Sequence, residues 1–151
     1  MNEELYFAAS MHDLDAVKSA LAKGADINSQ IDNGSTPLMA SLMGDLTVAR
    51  YLLENGANPN VQNQGGAAIL HLAVISKLDE VVNLMIEYKA NPNLQDSKGV
   101  TPLHAAALVG NKDVFQQLIK MGGDKTIKTN DGLTPSELAK KYGKEDYKDF
   151  E

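Results

Sequence analysis

Along the second half of each segment of this chain, apolar residues come in doublets one helical turn apart. Val48/Ala49 is followed by Leu52/Leu53, Val81/Val82 by Met85/Ile86, and Val114/Phe115 by Leu118/Ile119. A stripe at i, i+1, i+4 and i+5 predicts a helix buried along one side. Ahead of each stripe stands a shorter apolar run with a helix-start signal. Thr36 and Thr101 directly precede a proline, as an N-cap precedes a proline at the first helical position. Thr134 and Glu137 add the spacing of a capping box. The small side chains of Ala105, Ala106 and Ala107 allow close helix–helix approach. Gly44 and Gly110 are placed to close the first helices, and Gly24, Gly56 and Gly122 the second. The polar stretches between helix pairs end in turn chemistry, Asp32-Asn33-Gly34 or Asn130-Asp131-Gly132, which predicts tight hairpins.

This pattern returns. Thr36-Pro37-Leu38-Met39-Ala40 recurs as Thr101-Pro102-Leu103-His104-Ala105 and as Thr134-Pro135-Ser136-Glu137-Leu138, with a worn copy at Ala68-Ile69-Leu70-His71-Leu72-Ala73. The steps between Thr36, Ala68, Thr101 and Thr134 are 32, 33 and 33 residues. A second phrase keeps phase with the first: Gly24-Ala25-Asp26-Ile27-Asn28, Gly56-Ala57-Asn58-Pro59-Asn60, Lys89-Ala90-Asn91-Pro92-Asn93 and Gly122-Gly123-Asp124. A fixed period of this length marks a stacked repeat array, which offers extended surfaces rather than a single pocket.

These residues resemble the ankyrin repeat. The helix Thr-Pro-Leu-His-x-Ala-Ala, a turn glycine, a second helix and a Gly-Ala-Asp-x-Asn loop are met almost letter for letter in Val100–Asp124. The resemblance implies an all-α repeat solenoid of stacked helix-turn-helix units joined by β-hairpin-like loops. It covers essentially the whole chain as one domain over 1–151, with repeats at about 1–28, 29–60, 61–93, 94–126 and 127–151. The first and last read as caps. The first lacks Thr-Pro-Leu but keeps Leu5, Ala8, Ala9 and Leu14-Asp15-Ala16-Val17 at matching offsets, and the last thins into Lys144–Glu151. Terminal repeats that exchange apolar for polar positions suit a face without a neighbour. Two repeats depart from the pattern. The second is one residue short between Thr36 and Gly44, which should tighten or shift the end of its first helix. The third has Ala68-Ile69 for Thr-Pro, Lys77 for the turn glycine and Lys89 for the glycine that ends helix two. A left-handed backbone at Lys89 would carry roughly 1 kcal/mol of strain.

Composition narrows the function. The 151 residues are 43% hydrophobic and 23% charged, as in a soluble globular protein. A net charge of −6 with a pI near 5.0 argues against nucleic acid, which selects clustered Lys and Arg. The absence of cysteine excludes disulfides and thiolate metal sites. The acidic start Met1-Asn2-Glu3-Glu4 has no apolar run after it and does not read as a secretory signal. No apolar stretch approaches the length of a membrane span. The expectation is a cytoplasmic monomer with no nucleic-acid or membrane partner and no cofactor.

The candidate chemistry is sparse. His71 and His104 hold the same position in adjacent repeats, so their backbones should lie about 8–10 Å apart. Zinc would need both nitrogens about 2.1 Å away, and parallel side chains at that separation do not converge easily. The resemblance implies a structural role for them, bonding between neighbouring loops; a metal- or small-molecule-responsive regulator using both is the alternative. His12, at a helix end of the first repeat, has no evident partner. The carboxylates form no pair suited to acid–base work, and Asp79-Glu80 and Glu145-Asp146 read as solvated faces. Gly65-Gly66 lacks the strand and the Lys-Ser/Thr of a phosphate loop and reads as a hairpin tip. Catalysis is not expected.

What remains is surface. The resemblance implies a concave binding face made by hairpin tips and the exposed side of the first helices. The tip positions include Asp32 and Asn33, Gln64, Lys98 and Val100, and Asp131. The positions before the turn glycine give Met11, Leu42, Met43, Ile75, Ser76, Leu108 and Val109. The apolar majority, Met11, Leu42, Met43, Ile75, Leu108 and Val109, predicts a ridge that anchors a protein partner, with Asp32, Gln64, Lys98 and Asp131 as a polar rim. Met43 and Val109 are expected as the exposed members, while one residue of each pair could instead tuck into the core. A stand-alone array of this kind would act as an adaptor, inhibitor or regulatory subunit.

Overall fold

A computed structural model describes all residues, 1–151, and shows an all-helical chain. Nine α-helices follow one another: α1 Asn2–Ser10, α2 Leu14–Ala22, α3 Pro37–Ala40, α4 Thr47–Glu54, α5 Ile69–Ile75, α6 Asp79–Glu87, α7 Pro102–Val109, α8 Lys112–Lys120 and α9 Pro135–Lys141. A short 3-10 helix, Tyr147–Phe150, follows them. The chain forms two compact bodies, Met1–Gln64 and Gly65–Glu151.

The helix starts follow the caps written in the chain. Thr36 Oγ1 accepts the amide of Met39 at 3.2 Å. Thr134 Oγ1 accepts that of Glu137, whose carboxylate accepts the amide of Thr134 at 2.8 Å, closing the capping box. These bonds satisfy donors that a helix start otherwise leaves open. The backbone amide of Thr134, and then its hydroxyl, hold the Glu137 carboxyl below its ordinary pKa. Ala68 takes the same extended backbone (φ −92, ψ 173) as Thr101 (φ −97, ψ 167) but brings no cap oxygen to α5. Ala68→Thr is therefore expected to stabilise the C-terminal body by about 1 kcal/mol, read as a higher denaturation midpoint at unchanged slope.

In the N-terminal body, α1 packs on α2 and α3, and Leu5, Val17, Leu38, Val48 and Leu52 are sealed from solvent. In the C-terminal body, α5 packs on α6 and α7, and α7 on α8 and α9, around Leu70, Val82, Met85, Leu103 and Leu118. Each such side chain contributes roughly 1.5–3 kcal/mol on burial. Ala105, Ala106 and Ala107 are also buried, as close approach of α7 to its neighbours demands. Phe150 is buried as well. Its ring meets Phe115 edge-on at 5.1 Å, so the 3-10 helix carries core rather than a solvated tail.

The one-residue deletion in the second repeat acts on its first helix. α3 has four residues, whereas α7 has eight. It stops at Ala40, where Ser41 Oγ turns back onto the carbonyl of Leu38 at 2.8 Å. Gly44 therefore does not close this helix directly, contrary to the sequence expectation; Gly110 does close α7, in a left-handed conformation. Lys77 and Lys89 hold the left-handed backbone that glycine would adopt more easily, at φ 56 and 53.

The hairpins carry no regular strand. Each is a turn closed by a left-handed glycine, such as Gly99, whose amide donates to Asp96 while the amide of Asp96 donates to Val100. Successive hairpins are hydrogen-bonded within each body. The amide of Gln64 donates to Asn33, that of Ser97 to Gly65, and that of Asn130 to Lys98, at 3.0–3.1 Å. Gln95 Nε2 ties two hairpins together by donating to the carbonyls of Gly99 and Lys128, both at 3.0 Å. In the next loop, Asn93 accepts the amide of Asp124 at 2.7 Å and donates to the carbonyl of Gly122 at 3.0 Å.

Candidate functional site: a groove on the C-terminal body

The buried histidines belong to this loop-tying framework. His71 Nδ1 accepts the amide of Ala68 at 3.1 Å, which places the ring proton on Nε2, 2.9 Å from the carbonyl of Val100. His104 repeats the arrangement. Its Nδ1 accepts from the amide and hydroxyl of Thr101, and its Nε2 faces the carbonyl of Leu133 at 2.9 Å. Both nitrogens of each ring are committed, leaving no lone pair for a metal, and no cluster of three His, Asp or Glu side chains could hold one. The metal-responsive reading of His71 and His104 finds no support in this geometry.

Burial lowers the pKa of both histidines, opposed by their loop carbonyls and by Asp96. Below the ordinary value of about 6.5 the unfolded chain takes up protons that the native chain refuses, so stability falls with pH from there downward. The slope is at most about 1.4 kcal/mol per pH unit for each histidine. Melting temperature is expected to drop between neutral pH and pH about 5, and a double His71→Gln, His104→Gln variant should lose that dependence.

The surface divides the remaining candidates. In the N-terminal body Met11 is 78% exposed and Met43 is exposed, with Asp32, Asn33 and Gln64 on the hairpin surface. The side-chain amide of Gln64 donates to the carbonyl of Asp32. Leu42 is a correction: it is only 6% exposed and belongs to the core. The reason is register. Counted from the helix start, Leu42 lies six residues after Thr36, as the buried Val74 does after Ala68 and the buried Ala107 after Thr101. Counting back from the turn glycine across a deletion moved it one place, onto a solvent position.

In the C-terminal body, Ile75, Lys98, Val100, Leu108 and Asp131 come together around one open groove of about 540 Å³. Ile75 is 57% exposed, whereas Val100 and Leu108 are half-buried in the walls. Val109 is a second correction. It is half-buried rather than exposed, and it faces a separate shallow depression with Lys77, Gly110 and Lys112. Ser76 is exposed but lies outside the groove.

The structure adds residues to the groove that the sequence reading passed over: Asp96, Thr129, Leu138, Tyr142 and Lys144. Tyr142 is 66% exposed and lies 33 residues after Val109, so the repeat period did point to it. The ridge expected from the sequence spans only the first four repeats. Phe7, exposed on α1 of the N-terminal body, was missed for another reason, since it lies outside the positions next to the turn.

Comparison with known proteins agrees with this architecture. The family description "Ankyrin repeats (3 copies)" matches residues 5–96 and 70–148. The human "Arf-GAP with coiled-coil, ANK repeat and PH domain-containing protein 2" is 37% identical over 75 residues, which is 48% of this chain and 10% of that protein. Human "Arf-GAP with coiled-coil, ANK repeat and PH domain-containing protein 3" is 45% identical over 56 residues, 35% of this chain and 7% of that protein. "Alpha-latrocrustotoxin-Lt1a" of Latrodectus tredecimguttatus is 35% identical over 74 residues, 48% of this chain and 5% of the toxin. The chain thus spans a tenth or less of the length of these relatives. With the family pattern matched from residue 5 to 148 and its caps, loop histidines and hairpin ladders in place, the chain belongs to the ankyrin repeat family.

Proposed function

We propose that this chain is a protein-interaction module without catalysis of its own, and that a partner protein docks in the groove of the C-terminal body. Ankyrin repeats are in general protein–protein interaction modules. The observation that carries the reading is an apolar groove left open to solvent, with Ile75 and Tyr142 exposed beside Val100 and Leu108. Exposed apolar surface of this kind marks an interaction site. The exposed Met11 and Met43 form a second, adaptable contact surface on the N-terminal body. A net charge of −6 opposes nucleic acid, and no helix is long and apolar enough to cross a membrane. The module acts as an adaptor, inhibitor or regulatory subunit, as a monomer in the cytoplasm.

Ile75→Glu, alone and with Tyr142→Glu, tests this. Both side chains are exposed, so melting temperature should stay within a few degrees of wild type, while capture of partner proteins from lysate is lost. Intact capture would sink the proposal, as would a large fall in stability. Met43→Glu in the same assay reports whether the N-terminal surface contributes.

A further inference from the structure

The groove combines its apolar walls with two ammonium groups that make no ion pair within the chain. Four charged residues line it: Asp96, Lys98, Asp131 and Lys144. The Asp96 carboxylate is held by its own turn, its Oδ1 accepting the amides of Lys98 and Val100 at 2.9 Å each. Asp131 faces Lys141 at 4.0 Å. Lys98 and Lys144 have no ion-pair partner, in a chain whose net charge is −6. Unpaired ammonium groups beside an apolar groove favour an occupant that brings carboxylates next to its apolar side chain.

The shape favours an extended occupant. Ile75, Leu108 and Tyr142 come from three successive repeats, whose first helices α5, α7 and α9 pack in a row. Neighbouring helices lie about 8–10 Å apart, so the groove runs roughly 16–20 Å. An extended chain covers that distance with about five or six residues. The volume of about 540 Å³ has room for bulky side chains.

We propose that this groove takes an extended peptide segment of a partner protein in which a bulky apolar side chain stands next to acidic residues. The apolar side chain seats among Ile75, Val100, Leu108 and Tyr142, and the carboxylates pair with Lys98 and Lys144. The proposal rests on the docking reading above and adds the chemistry of the occupant.

The test is selection of a random peptide library on the wild-type protein after depletion on Ile75→Glu. Enriched sequences should carry an aromatic or large aliphatic residue within a few positions of Asp or Glu. A selected peptide, made synthetically with a fluorophore, should bind Lys98→Glu/Lys144→Glu at least about tenfold more weakly. Its affinity for the wild type should also fall with salt. A version of the peptide with lysines for its acids should recover binding on the charge-reversed protein, and Lys98→Gln/Lys144→Gln should lie between. Basic or uncharged winners, equal affinity for the charge-reversed protein, or no enrichment over Ile75→Glu would overturn the proposal. So would self-association of the wild type in sedimentation that Ile75→Glu abolishes, which would put a second copy in the groove. The two failures are separable. Partner capture lost with Ile75→Glu but indifferent to Lys98 and Lys144 refutes the acidic occupant alone, whereas capture that survives Ile75→Glu refutes docking itself.

Discussion

Gly99→Ala is expected to destabilise the protein by about 3 kcal/mol, while Gly132→Ala, at an equivalent turn, should lose only about 1 kcal/mol. The two glycines have nearly the same left-handed backbone, φ 77 and 79, so a methyl group strains both turns alike. Stiffening of the unfolded chain by alanine is also common to both and cancels in the comparison. Their neighbours differ. A Cβ at Gly99 would lie 2.7 Å from the amide nitrogen of Asn130, in the backbone of the next hairpin, whereas one at Gly132 would meet nothing within 4 Å. That amide donates to Lys98, so the methyl group pushes apart the hydrogen bond that joins the hairpins. Chemical denaturation of both variants gives the difference directly. Equal losses would mean that close approach of hairpins contributes nothing beyond turn geometry.

Phe150→Ala should cost about 3 kcal/mol or more, the range for deleting a fully buried aromatic ring. Phe150 is 1% exposed and stands edge-on against Phe115, with ring planes inclined at 67°. Around it, Lys112 pairs with Asp149, and Lys125 Nζ donates to the carbonyl of Glu151. These charged contacts are exposed and contribute little, so the ring carries most of the docking energy of the 3-10 helix. Phe115→Ala should have an effect of similar size, and the double variant should lose less than the sum because the rings share one contact. A loss under about 1 kcal/mol for Phe150→Ala would show that the closing helix is not part of the cooperative core.

Most of the fold could be read from the chain, because each repeat states its own boundaries in local chemistry. A threonine that caps, a proline at the first helical position and a left-handed glycine act over a few residues, and they act the same way wherever the repeat places them. Thr101, Pro102 and Gly110 are found in those roles. Where the local signals were worn, the backbone conformation persisted: Ala68 still begins a helix, and Lys77 and Lys89 still turn left-handed. The turns keep the backbone bonds of their glycine counterparts, the amide of Leu78 donating to Ala73 and that of Ala90 to Met85.

The candidate groove was legible only in part. Repeat register points to Ile75, Lys98, Val100, Leu108 and Asp131, and one repeat further along it points to Tyr142. Leu42 was misplaced because burial depends on angular position around the helix, which is set by distance from the helix start. A deletion beyond that start changes the count from the other end. Phe150 was invisible for a different reason. A phenylalanine among Lys, Asp and Tyr, outside any apolar period, gives no local sign of the ring it will meet.

The sequence by itself determined the helix pairs, their order and the repeat that stacks them, since capping, turn geometry and amphipathic spacing are short-range and recur. Only the tertiary structure decided which apolar positions stay in solvent, that Phe150 docks on Phe115, and that Lys98 and Lys144 are left unpaired beside an open groove. Those outcomes depend on which surfaces meet across long stretches of chain, and no single segment encodes its neighbour.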